Sequence, residues 1–142
     1  MATPLNRRLA LLGLALPALA LGACASTTSN SFKGEKHEVA QAISNLQGDA
    51  KSADEQKICT NDLAGPLVAR LNRAKGGCKE AIKHRLTDID SYDITIHAIQ
   101  LSGAGARPTA SAAVTSVYSG KKRPSTLLLV KEGGKWRLSG VQ

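Results

Sequence analysis

Chemistry in this chain has to come from few residues: three cysteines, three histidines and eleven acidic side chains among 142. Metal binding is the first chemistry to weigh. Neither Cys59 nor Cys78 has a second cysteine within C-x-x-C reach, and His84 stands six positions beyond Cys78. That spacing does not make a zinc site, so no metal is expected. A glycine-rich phosphate loop, a Walker box and a zinc signature are all absent from the sequence, and no cofactor is expected. Acid–base work would need a base near a proton donor, and Asp93, His97, His84, Tyr92 and Tyr118 are the candidates. Asp93 and His97 share one face of an alternating segment, about 14 Å apart along a strand. They do not form a dyad.

Positive charge is the more abundant resource. Arg70, Arg73, Lys75, Lys79, Lys83 and Arg85 place six cations within 16 residues, opposed there only by Glu80. Lys121, Lys122 and Arg123 add a second cluster. Two readings stand side by side: solvated faces partly neutralised by Asp88, Asp90 and Asp93, or attraction to an anionic surface. In the second reading Arg70, Arg73, Lys79 and Lys83 carry the binding, each worth about 1 kcal/mol near a charged membrane. Phe32, Tyr92, Tyr118 and Trp136 are the only aromatics. Single-strand nucleic-acid binders spend more aromatics on stacking, so no nucleic-acid partner is expected.

The elements that must position these residues fall into two halves. Val39, Ile43 and Leu46 recur at helical spacing from Lys36 to about Gly48, where glycine is expected to stop the helix. Ser52 with Glu55 reads as a capping box that opens a short helix to Cys59, before a turn at Thr60-Asn61-Asp62. A third helix is expected over 63–74 and a fourth over 78–86. After Asp90 the period changes. Tyr92, Ile94, Ile96 and Ala98 alternate with polar residues, and the parity switch at Ile99 predicts either a bulge near Ala98 or burial on both faces at that end. Further strands are expected over 110–118, 125–131 and 136–141, with a basic turn at Lys121–Pro124 and a tight Gly133-Gly134 hairpin. Helices first and an antiparallel meander after make an α+β domain.

The N-terminus carries an address. Arg7-Arg8 precede an apolar run from Leu9 to Leu21, 13 residues long and interrupted by Pro17. It is too short to span a bilayer. The run ends in Leu21-Gly22-Ala23-Cys24, which resembles the lipobox of bacterial lipoproteins. That resemblance implies cleavage after residue 23, acyl chains on Cys24, and an extracytoplasmic protein anchored to the membrane. Ala25 in the next position implies the outer membrane in a double-membrane host and the cell surface in a single-membrane one. Residues 24–35 read as a flexible tether and 36–142 as the domain. Export through the general or the twin-arginine route stays open. Removal of the leader leaves 119 residues (142 − 23), enough for one domain, and takes two arginines from the net charge of +8. With Cys24 lipidated, an exported chain is left with one pair, Cys59 and Cys78. A disulfide there would close a loop of about 20 residues, worth roughly 3 kcal/mol.

Four N-terminal helices, a cysteine in the second, another opening the last, and strands ending in Lys131-Glu-Gly-Gly-Lys-Trp-Arg-Leu138 together resemble the small exported members of the nuclear transport factor 2-like superfamily. The resemblance covers residues 36–142. It implies a curved four-stranded antiparallel sheet wrapped around the helices as a cone with one open end. It also implies that a homodimer through the outer sheet face is within the family's range. Enzymes of that superfamily place an aspartate or histidine base and tyrosine donors inside the cone. Fold alone decides no function. The expectation is a lipid-anchored, non-catalytic binding module for a partner protein, an envelope polymer or a small ligand. The alternative is an isomerase- or dehydratase-type enzyme.

Overall fold

A computed structural model describes residues 29–87, 92–103 and 105–142. Cys24 and the leader lie outside the described residues, as do Asp88 and Asp90. The chain forms α1 (Glu35–Lys51), α2 (Glu55–Lys57), a π-helical turn (Ile58–Asp62), α3 (Gly65–Leu71) and α4 (Gly77–Thr87). Four strands follow, β1 (Tyr92–Ser102), β2 (Thr109–Tyr118), β3 (Lys121–Glu132) and β4 (Lys135–Val141). They pair antiparallel in the order β1-β2-β3-β4. The expected α+β architecture, helices on a four-stranded antiparallel sheet, is present.

The helix α1 is the spine of the fold. Glu35 and Glu38 in its first turn and Lys51 in its last suit the helix dipole. Its stripe of Val39, Ile43, Leu46 and Ala50 packs at both ends of the domain. Val39, Ala40 and Ile43 meet Ile96, Ile99, Ala112, Val114, Leu127, Leu129 and Trp136 from the sheet. Ile43 is 2% exposed, and truncation of such a side chain to alanine costs about 2–5 kcal/mol. Leu46 and Ala50 belong to a second cluster around Ile58, Cys59, Leu63 and Cys78. Cys59 and Cys78 are joined there, with 6.2 Å between their Cα atoms. The bond clips the π turn to α4.

Several local expectations need correction. Gly48 does not end α1, because Leu46 and Ala50 still have apolar cover beyond it. Ser52 closes α1 instead, its Oγ donating to the Gly48 carbonyl at 2.8 Å, and Asp54 caps α2 by accepting from Lys57 N at 3.0 Å. Lys121–Arg123 are not a turn. Ser119 and Gly120 turn the chain with φ of 50° and 71°, so the basic residues begin β3. The packed chain also starts ahead of Lys36. Ser29–Ser31 form a 3₁₀ turn whose Ser29 carbonyl bonds the His37 ring at 2.8 Å, and Phe32 packs on the sheet core.

Two register shifts bend the sheet, between Ile96 and Ala98 in β1 and beside Leu128–Leu129 in β3. Of the two outcomes the parity switch allowed, the chain takes the bulge. At the other side, Leu63 bridges Leu138 and Ala64 N donates to the Leu138 carbonyl at 2.8 Å. The segment leading into α3 thereby covers the free edge of β4.

Candidate functional site

Asp93 and His97 lie on the sheet face turned away from the core. Asp93 is held by Lys51 at 2.6 Å, and His97 Nε2 pairs with Thr115 Oγ1 at 2.7 Å across the strands. Both are exposed. Tyr92 stands opposite Tyr118 in the β1–β2 register. Burial, and then the Tyr118 ring hydroxyl, push the Tyr92 phenol upward, away from ready proton donation. His84 is exposed on α4 beside Glu80 at 3.3 Å. None of the five titratable candidates meets another in a closed pocket. Among the described residues no cluster of three histidine, cysteine or acidic side chains could hold a metal.

The cations named from the sequence are all at the surface. Arg70 ends α3, Arg73 and Lys75 lie in the following turn, and Lys79, Lys83 and Arg85 line α4. Lys79 and Lys83 are one helical turn apart and so share a face. Glu80 is engaged by His84. Asp93, expected to offset these charges, is engaged by Lys51. Among the described residues no ion pair holds any of the six. Lys121, Lys122 and Arg123 are exposed as well, with the Arg123 guanidinium 5.8 Å from the Tyr118 ring centroid.

The sequence reading missed a third place. Between α1, the π turn and the β3–β4 hairpin lies an open cleft of about 650 Å³. Two of its residues are buried and hold polar atoms with no hydrogen-bond partner, Asp62 Oδ2 and Trp136 Nε1. Asp62 ends the π turn, a helix type that often marks functional sites. Burial, followed by the charge of the neighbouring Asp49 carboxylate, pushes Asp62 up to about 7. Arg137 opposes the shift, but its Nη1 already donates to the Thr60 carbonyl at 2.7 Å.

Lys131 lies behind two cleft residues, Glu38 and Trp136. Its ammonium contacts Glu35 at 3.2 Å and Glu38 at 2.9 Å while lying 5.6 Å from the Trp136 ring centroid. The Lys131 hydrogen bond and charge hold the Glu38 carboxyl below its ordinary value, helped by the Trp136 indole nearby. The indole lies toward Glu38 without reaching hydrogen-bond geometry. With Lys131 over the ring and only 5% of Trp136 exposed, its face is not offered for stacking. In the sequence, Asp62 looked like one polar residue of a turn. The one hint was its place between two core residues, Cys59 and Leu63.

No sequence profile of a known family matches the chain, and no curated protein matches it. One solved structure, a variant of a protein named Rd1NTF2_05, is similar with a TM-score of 0.49 and 19% identity. The similarity covers 77% of this chain and 98% of that one. The fold described above stands on this chain's own helices, strands and register.

Proposed function

We propose that the protein is a lipid-anchored, non-catalytic component of the bacterial cell envelope whose domain rests on an anionic surface. The anchor in this reading is acylated Cys24, and the contact is the basic face of α3 and α4. One observation carries the contact: six exposed cations from Arg70 to Arg85, none held in an ion pair among the described residues. Pairs at i,i+4 would add only a few tenths of a kcal/mol each to a helix, and among the described residues these six cations form none. A short polar segment after Cys24 keeps the domain within reach of headgroups or of charged envelope polymers. Each basic residue near such a surface adds about 1 kcal/mol, so four acting together give substantial attraction at low salt.

The test uses the chain with Cys24→Ala, so that lipid cannot hold it. It should sediment with vesicles rich in phosphatidylglycerol at low salt. Reversal of Arg70, Arg73, Lys79 and Lys83 to Glu should abolish this, and salt should weaken it because exposed charges are screened beyond about 10 Å at 0.1 M. A chain that ignores anionic vesicles at low salt refutes the contact.

A second reading, an isomerase- or dehydratase-type enzyme, is favoured by one observation. Asp62 sits near neutrality in a cleft, which is where a general base is useful. Its weakness is that the cleft is open to water. Catalytic proton transfer gains most from a site that excludes it.

A further inference from the structure

We infer that the end of the domain formed by the start of α1 and the β1–β2 connection rests on the bilayer that holds the anchor, with Leu101 in its headgroup layer. The contact rests on the acylated Cys24 of the proposed function and takes no residue from the α3–α4 face. A length decides it. The packed chain begins at Ser29, well ahead of Lys36. The Ser29 carbonyl accepts from the Phe32 N–H at 3.3 Å and bonds the His37 ring at 2.8 Å, and Phe32 packs on the sheet core. Five residue steps (29 − 24) separate Cys24 from Ser29, and fully extended they reach at most about 18 Å. β2 alone, 10 residues from Thr109 to Tyr118, is about 30 Å long. The end at which Ser29 is pinned therefore stays beside the bilayer, and Lys121–Arg123 lie a strand length away from it.

The side chains at that end suit an anionic, apolar-cored surface. Glu35, Leu101, Pro108 and Thr109 line one recess of about 230 Å³, so the β1–β2 connection adjoins the first turn of α1. Lys33, Lys36 and Arg107 are exposed here, and among the described residues none of them is held in an ion pair. The acids of the same helical turn, Glu35 and Glu38, are both engaged by Lys131. What remains is positive. Each such cation near anionic headgroups raises the docked fraction about fivefold. Leu101, 40% exposed, is one of two large apolar side chains left open to solvent among the described residues. In a bilayer interface it gains the burial that water denies it. A soluble polyanion would match the cations and offer Leu101 nothing.

Leu101→Trp puts a reporter at this end and Lys122→Trp one at the other. Both sites are exposed, and the buried Trp136 supplies a constant background. The acylated full chain carrying either substitution is reconstituted from detergent into phosphatidylcholine–phosphatidylglycerol vesicles with brominated acyl tails, which quench only nearby indoles. Leu101→Trp should lose emission relative to unbrominated vesicles, and Lys122→Trp should not. Reversal of Lys33, Lys36 and Arg107 to Glu in the Leu101→Trp chain should restore its emission while the protein still floats with the vesicles. Flotation on neutral phosphatidylcholine vesicles checks the anchor separately. If the acylated chain and Cys24→Ala float alike there, the anchor and this contact fall together. Where the anchor holds, unquenched Leu101→Trp overturns the contact alone, as it would if a polymer or a protein covered this end instead. Equal quenching of Lys122→Trp also overturns it, since neither end is then preferred. So does quenching untouched by the triple reversal, because the acyl chains alone would then hold Leu101 down.

Discussion

Asp62→Asn should stabilise the domain, and by an amount that grows with pH. In the unfolded chain this carboxyl ionises near 3.8; in the fold it does so at about 7. Below the lower value both states are protonated and the folded state bears no charge penalty. Between the two values the folded protein holds a proton that the unfolded chain has lost. Stability therefore falls as pH rises, by up to about 1.36 kcal/mol per unit, and levels off above the folded value. A shift of about three units sets a ceiling near 4 kcal/mol. Asp62 lines an open cleft that water enters, so about 2–4 kcal/mol is the expected range. Asparagine keeps the shape and removes the charge. Thermal melts of wild type and Asp62→Asn should nearly coincide at about pH 3, below the unfolded value, and already differ by about 1 kcal/mol at about pH 4.5. They should separate by on the order of 10 °C at about pH 8. Asp49→Asn should flatten part of the wild-type slope, because the Asp49 carboxylate contributes to the shift. Parallel curves for wild type and Asp62→Asn from pH 4.5 to 8 would refute a buried, near-neutral carboxyl, since every other titrating group is common to both.

Two further outcomes follow from the cysteines. Cys78→Ser should lower stability by roughly 3 kcal/mol, read from urea unfolding, and the unmodified protein should show no thiol at Cys59 or Cys78 before reduction. Two titratable thiols in the native exported protein would contradict this. Cys24→Ala should shift the protein out of the detergent-extracted membrane fraction or leave a longer precursor; unchanged partition in fractionated cells would remove the lipid anchor from the reading.

What could be read from the sequence was whatever a local period or a single special residue dictates. The switch from helical spacing to alternation at Tyr92 placed β1, and the parity change at Ile99 marked the point where the register had to break or both faces be buried, because side chains can reach the core only in one register. Gly133-Gly134 located the last hairpin by the positive φ it needs. Elsewhere tertiary contacts overruled local propensity. Gly48 should weaken a helix by about 1 kcal/mol, yet burial of Leu46 and Ala50 on either side carries α1 through it. The basic run at Lys121 looked like a loop because charge suggests one, while the Ser119-Gly120 turn had already reversed the chain. The basic face was legible as composition. The cleft was not, since Asp62 and Trp136 stand 74 positions apart (136 − 62) and line one space only when the hairpin packs over α1.

The chain's two apolar clusters share one side chain, Leu138, while α1 runs past both. Mechanically this makes the domain two modules on a common rod rather than one block. The module held by the disulfide, with the π turn, α3 and α4, can open as a cooperative unit while β1, β2 and most of β3 keep their ladders. The cleft lies on the seam between these modules, with Asp62 on one side and Trp136 on the other. Whatever occupies it bridges the two, and so raises the free energy of partial opening even where the stability of the sheet itself is untouched.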